Sequence, residues 1–413
     1  MTGPAPDAAE AVDACGEVRR DQFPALRDKV FLDAACASLA PRAAAEAIGR
    51  LLEDIQACPA RSATAFHIQL DRARDAARPE AARLIGCAPE DIALVENTSA
   101  ALTIASRAIP LGSGEHILVP DLEYLQVPLA WRQIPPDQAP EIRLVRHVDG
   151  TLPVEAFAAA ADRRTRAVVL SSVQWSNGFR ADLDAIAAFC RERQLWLVVD
   201  AIQQLGAFPI DVGRTPMDIL VCGGHKWLNA PLGAGFMYLN PASRARMREP
   251  RAGYLSVNPP EGGWGEYFRT PGITPLQPVT FTDEARRFET GGTGNYPGMV
   301  GLTASLRLIN QIGPAVIEAH IRRLTDALIA GLDQLPVRVV TPRDPACRSG
   351  IVTFGLGDVG REAALIEHLL DQRIMVSHRY TSGVGGIRVS CHFFNTPDDI
   401  ARLLDATRAW LVA

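Results

Sequence analysis

The chain has 413 residues and a net charge of −5, with a pI near 6.0, so no basic excess points to nucleic acid or to an anionic membrane surface. With 47% apolar and 22% charged residues it has the composition of a folded globular protein, and its length suggests two or three domains. No apolar stretch reaches the roughly 18 residues a membrane-spanning helix needs, and Met1 to Glu10 has neither the basic region nor the apolar core of a signal peptide. The eight cysteines are scattered, with no C-x-x-C pair, so neither a zinc site nor a redox dithiol is expected. Reduced thiols in a cytoplasmic protein are the simplest expectation.

Apolar residues at three- and four-residue spacing predict helices from Ala43 to Asp54 and from Ile68 to Leu84. Asp91 to Val95 is a strand candidate, and Asn97-Thr98-Ser99, good N-cap residues, open a helix over Ala100 to Arg107. Strands and helices then alternate. His116–Val119, Ile142–Val145, Ala167–Ser171, Leu195–Asp200, Asp218–Cys222 and Ala234–Leu239 read as strands, with helices at Pro153–Ala161 and Leu183–Arg193. This order implies a largely parallel sheet covered by helices on both faces. A Gly/Pro/aromatic-rich stretch from about 250 to 285 is too long for a simple connection and is a candidate for shaping a site. A long helix is expected over 298–313. Beyond it, helices at Ala315–Leu332, Ala363–Gln372 and Pro397–Val412 mix with strands at Val337–Val340, Gly350–Phe354 and Ile387–Ser390, the pattern of a smaller α+β domain.

The most informative residue is Lys226. It sits in Cys222-Gly223-Gly224-His225-Lys226-Trp227, followed by Pro231-Leu232-Gly233-Ala234-Gly235. Upstream, the apolar run Leu195 to Val199 stops at Asp200, and Gln203 follows. Glycines permit close approach of backbone to a ligand, and the end of such a strand is where open α/β sheets bind ligands. This arrangement meets the needs of pyridoxal 5′-phosphate (PLP). A lysine amine forms a Schiff base with the cofactor aldehyde, and a carboxylate keeps the pyridine nitrogen protonated so that the ring draws electrons. Unpaired N–H groups at the helix opened by Thr98 and Ser99 would suit the phosphate.

Further motifs are Phe31-Leu32-Asp33, Ser171-Ser172-Val173, Asn177 to Leu183, Arg287-Phe288-Glu289 and Ile387-Arg388-Val389-Ser390. In order and spacing they resemble the class V aminotransferase family of fold-type I PLP enzymes, a group that includes cysteine desulfurases and isopenicillin N epimerase-like proteins. The resemblance covers about residues 30 to 410. It implies a large domain over 31–297 with a mostly parallel seven-stranded sheet, a small α+β domain over 298–413, and a segment 1–30 packing with the small domain. It also implies that Gln203 donates to the cofactor's phenolic oxygen, that His225 contacts the phosphate and that Tyr124 stacks on the ring. Thr293 would reach the phosphate in a second subunit, making a homodimer with active sites at the interface. Arg388 would take the α-carboxylate of an amino-acid substrate, with Arg379 and Tyr380 beside it. Gly223 departs from the family, which often has a serine there.

The family's desulfurases carry a nucleophilic cysteine shortly before the substrate arginine, whereas Val376 to Gly385 has none. Cys391 and Cys347 are not placed as mobile, exposed thiols would be. A persulfide-forming desulfurase is therefore not expected. What remains is chemistry needing only PLP and Lys226 as general base: β-elimination from an amino acid with a modified side chain, with transamination or epimerisation as the alternatives. A catalytically silent PLP-fold protein is disfavoured by the presence of Lys226, Asp200, Gln203 and Arg388.

Overall fold

The computed structural model describes residues 20–249, 252–289 and 291–413. Its strands, in chain order, are β1 (Val30–Phe31), β2 (Ile92–Val95), β3 (His116–Pro120), β4 (Glu141–Val145), β5 (Thr165–Ser171), β6 (Trp196–Asp200) and β7 (Ile219–Gly223). Then follow β8 (Gly235–Leu239), β9 (Arg338–Val339), β10 (Ile351–Gly355), β11 (Ile374–Met375), β12 (Ser377–Thr381) and β13 (Val384–Ser390). A seven-stranded sheet runs in the order β2-β8-β7-β6-β5-β3-β4, with β8 antiparallel to both of its neighbours. This is the α/β architecture, with a mostly parallel seven-stranded sheet, that the sequence led one to expect. Its strands read as unbroken apolar runs because both faces are covered. On β6, Leu197 and Val199 join one core cluster, while Trp196 and Val198 join the other.

The helix Thr98–Ala108 covers one face, and helices Ala77–Ile85, Leu183–Glu192 and Tyr296–Ile312 cover the other. The helix Tyr296–Ile312, at the expected start of the small domain, buries Met299, Leu302 and Leu306 in the large sheet's core. The next helix, Pro314–Leu332, gives Ile317 and Ile321 to that core but Leu324 and Leu328 to the small one. The passage between the two cores thus lies within a single helix.

The smaller sheet is antiparallel, in the order β12-β13-β10-β9. Near the N-terminus, β1 pairs with β11, Phe23 packs on Phe393 and Phe394, and Arg20 bonds Asp399 at 2.8 Å. Residues 1–19 of the segment expected to pack there lie outside the described residues.

Two local expectations change. The single helix expected from Ile68 to Leu84 is two, Ala63–Asp75 and Ala77–Ile85. Pro79 lacks the N–H that would continue the ladder onto Asp75, so the chain turns at Ala76. The stretch Val376 to Gly385, for which no strand was expected, is part of a β-hairpin. Ser382 and Gly383 at its tip have φ of 47° and 77°, the two left-handed residues of a tight hairpin turn. Its tip is tied to the large domain, since the Ser382 hydroxyl donates to the Asp121 carbonyl at 2.7 Å.

Glu289 fastens the long connecting segment to the sheet. One carboxylate oxygen receives Arg78 at 2.6 Å and Arg74 at 3.0 Å, and the other receives the Leu94 amide at 2.8 Å. The carboxylate is 1% exposed and both guanidiniums are almost fully covered, so the charges depend on one another. Removing one partner from such a group strands the others. Glu289→Ala should lower the unfolding free energy by about 3–5 kcal/mol, read from urea denaturation; a loss under about 1 kcal/mol would show the network to be replaceable by water.

Candidate active site

The parallel strands end together, and the loops beyond them form a cavity of about 300 Å³. That is the lower end of the roughly 300–1,000 Å³ of small-molecule sites. Asp200 closes β6, Ser171 closes β5, and Thr98 and Ser99 open the helix after β2. Lys226 lies in the turn after β7.

That turn is held by close backbone packing. Gly206 has φ of +97°, and a Cβ on it would sit 2.1 Å from the Trp227 carbonyl oxygen, so only glycine lets the segment after Asp200 run beneath the lysine turn. The Trp227 indole N–H donates to Gln203 Oε1 at 2.8 Å. Because indole is only a donor, this contact fixes the amide's orientation. Gln203 Nε2 then donates to the Ala35 carbonyl at 3.1 Å and keeps a second proton at the cavity wall.

Burial sets the charges. The Lys226 amine is pushed down to about 8, chiefly by desolvation, against the pull of Asp200. The Asp200 carboxyl is pushed up to about 6, again by desolvation and in spite of the Ile202 N–H and Lys226. One Asp200 oxygen accepts the Ile202 amide at 3.0 Å, and the other has no hydrogen-bond partner among the described residues. A carboxylate so placed gains from a cationic N–H entering the cavity. His225 is half-buried at the rim and lowered by desolvation and by Lys226, so its ring is neutral near pH 7.

The helix start is shaped as an anion cradle. Asn97 caps it by accepting the Ala100 amide at 2.9 Å, which leaves the Thr98 and Ser99 amides of the first turn for a ligand. The Gly223 amide donates to Thr98 Oγ1 at 2.9 Å, and a Cβ on Gly223 would lie 2.9 Å from that oxygen and 3.2 Å from Ile202 Cδ1. The missing serine thus has a steric reason: Thr98 already occupies its space. Cradle, open carboxylate and depressed lysine fit a phosphorylated pyridinium aldehyde.

Tyr124 is half-exposed over the cavity, edge-on to Trp175 at 5.3 Å, with Lys226 Nζ 5.9 Å from its ring centre. Arg388 is buried. Its Nη1 donates to the Trp175 carbonyl and its Nη2 to Asp33, each at 3.0 Å, while its Nε has no partner among the described residues. Arg379 lines the same cavity. Tyr380, expected beside it, does not. Neighbours on a strand face opposite ways, so the Tyr380 hydroxyl donates to Glu362 at 2.7 Å in a separate cavity on the hairpin's far side. Thr293 is exposed and outside this chain's own cavity.

Two cavity-lining groups, Trp175 and Cys36, carried no role in the sequence reading, and neither did Glu123, which bonds the cavity-lining Ser171. Glu123 is fully buried, accepting the Ser171 amide and hydroxyl at 2.5 Å and Gln174 Nε2 at 3.0 Å. Desolvation pushes it up to about 7, against those donors. Trp175 forms wall beside Arg388. Cys36, just past β1, puts an exposed thiol into the cavity, its Sγ 3.6 Å from Arg379 Nη2. Glu123 directly precedes Tyr124, and Trp175 and Cys36 lie two and three residues from the motifs at Asn177 and Asp33, but none of the three carried a chemical signal of its own.

The family model for aminotransferase class V matches residues 30–403. Isopenicillin N epimerase of Streptomyces clavuligerus is 31% identical over 345 residues, covering 81% of this chain and 83% of that protein. A probable cysteine desulfurase of Methanothermobacter thermautotrophicus is 25% identical over 403 residues, covering 94% and 96%. Among solved structures, the cystine C–S lyase C-DES in complex with its reaction product cysteine persulfide superposes with a TM-score of 0.83 at 25% identity, covering 94% of this chain and 99% of that one. The chain belongs to the class V aminotransferase family and is a PLP-dependent enzyme.

Proposed function

We propose that the enzyme acts on an α-amino acid by removing its Cα proton, and that the outcome is β-elimination, with C–S cleavage in a substituted cysteine. The observation that carries the reading is Lys226: a buried amine lowered to about 8, beside Asp200 and opposite Arg388 in one cavity. Lys226 would hold the cofactor covalently, the first-turn amides of Thr98 and Ser99 with His225 would hold its phosphate, and Tyr124 would cover its ring, all of them residues that line the cavity. Asp200 would keep a proton on the ring nitrogen, and the free Gln203 N–H would be available to the phenolic oxygen. PLP in this position supplies an electron-withdrawing ring that stabilises negative charge at Cα. Lys226, its amine lowered by burial, would serve as the base for the Cα proton. Arg388 orients the substrate by its α-carboxylate, and Trp175 and Cys36 border the side chain. Thr293, exposed here, is assigned to the phosphate in a second copy of the chain, in a homodimer. Among the described residues no helix is long and apolar enough to cross a membrane.

Elimination is favoured over sulfur transfer by where the thiols lie. Cys391 is buried and its thiol raised by desolvation, and Cys347 is raised likewise beside Asp344. Cys36 is exposed in the cavity and supports a second reading, desulfuration onto that thiol. Its backbone is pinned, however: the Cys36 amide donates to the Asp33 carbonyl at 3.0 Å, on a turn rather than on a long loop that could carry sulfur outward. Sulfane sulfur on Cys36 after incubation with L-cysteine would establish the second reading.

The deciding experiment is a spectral titration of the holoenzyme with alanine, cysteine and S-substituted cysteines, with no keto acid added. Unaided return of the starting spectrum with pyruvate and ammonia is expected. Conversion to the pyridoxamine form that recovers only with a keto acid would make the enzyme an aminotransferase instead. Lys226→Ala should abolish turnover while retaining some non-covalently held PLP, seen as absorbance that filters away; full activity in that variant would overturn the assignment. The rate at which apoprotein captures PLP should rise with pH, because only the neutral amine is a nucleophile, and should level off above a midpoint of about 8. A rate still climbing past pH 10 would mean that the amine is not desolvated as described.

A further inference from the structure

The two arginines of the cavity are not equivalent. Arg388 is partly compensated: Asp33 pairs with it at 3.0 Å, the Trp175 carbonyl takes a second N–H, and the Asp33 oxygen is itself fixed by the Ser377 hydroxyl at 2.9 Å. Arg379 has no carboxylate within ion-pair distance among the described residues. Its Nη1 donates to the neighbouring His378 carbonyl at 2.8 Å, and its Nη2 meets only the Cys36 sulfur at 3.6 Å. It is half-buried, in the same cavity as Lys226 and Arg388.

Burial lowers Arg388, and the nearby Arg379 charge lowers it further, while Asp33 raises it. Holding a second guanidinium near the first therefore works against the apo protein. An anion between or beside them offsets that repulsion. An α-carboxylate supplies one negative charge, and the buried Arg388, with an unpartnered Nε, is the group shaped to receive it. Arg379 is then left without a counter-charge at the other end of the substrate. A guanidinium fork is suited to a planar acidic group held by two parallel hydrogen bonds.

We infer that the substrate carries a second acidic group on its side chain, received by Arg379 with the Cys36 thiol against it. Under the reading proposed above, on which this inference rests, the departing thiol carries a carboxylate or a comparable oxyanion. Arg379 is thereby a specificity-determining residue for the side chain, and Arg388 for the amino-acid backbone.

The test uses holoenzyme and isosteric pairs: S-carboxymethyl-L-cysteine against its carboxamide, L-aspartate against L-asparagine, and L-glutamate against L-glutamine. Affinity is read from the change in the cofactor's visible spectrum, so it is measured whether or not a bond is cleaved. Wild type should bind the acid of at least one pair about tenfold or more tightly than its amide. Arg379→Met should bring that ratio close to one, Arg379→Lys should keep much of it, and Arg388→Met should weaken acid and amide alike. Equal affinity for acid and amide in every pair overturns the inference. So does an Arg379→Met variant that loses both members equally, since Arg379 would then be holding the α-carboxylate. If the acids bind preferentially but none is cleaved, the inference stands and the elimination reading fails. If no amino acid, alanine included, perturbs the spectrum, both fail.

Discussion

The site depends on the burial of an amine and a carboxylate in one small cavity. Asp200 ends β6 and Lys226 lies in the turn after the adjacent parallel strand β7, and neither is solvated as it would be on the surface. Moving a charge from water into such a place costs several kcal/mol after relaxation. The fold accepts that cost because the two charges partly compensate and because both strands are locked into a sheet covered on both faces. The result is an amine already reactive near neutral pH and a carboxylate with an open oxygen. Neither property belongs to the residue type; both come from desolvation.

Around that pair, the molecule works by close backbone approach. Gly206 lets one turn pass under the Trp227 carbonyl, and Gly223 leaves the space that Thr98 fills. Gln203, clamped between Trp227 and Ala35, links the cofactor turn to the segment that begins at β1. That segment also carries Asp33 and Cys36, so residues from near the start of the chain complete a site otherwise built from its middle and end. The paired residues β1 and β11 hold it there.

Much of this was legible in the sequence because the signals are local. Strands buried on both faces appear as short apolar runs, Asn97 sits where a cap should, and Gln203 and His225 lie within three residues of Asp200 and Lys226 along the chain. The failures share a cause. Ser377 to Thr381 is a polar strand with one side on a cavity, so it shows no apolar alternation, although the Ser-Gly pair at its tip carried the turn signal. Tyr380 was grouped with Arg379 by proximity, where the period of two separates them. Glu123 depends on donors about fifty residues away, and Asp33 meets Arg388 across 355 positions. Such contacts are made by tertiary folding, and no window of sequence contains them.

The hairpin has a consequence for how this enzyme could change over evolutionary time. Arg379 and Tyr380 point into two different cavities, and the tight turn with its anchor on Asp121 leaves the strand little freedom to rotate. Lengthening or shortening β12 by one residue would exchange the faces. A guanidinium would leave the substrate cavity and a phenol would enter it, with the cofactor side untouched. A single insertion or deletion far from Lys226 in the chain could therefore turn a charged selectivity filter into an aromatic one in one step, a change that point substitution at any one position would not reproduce.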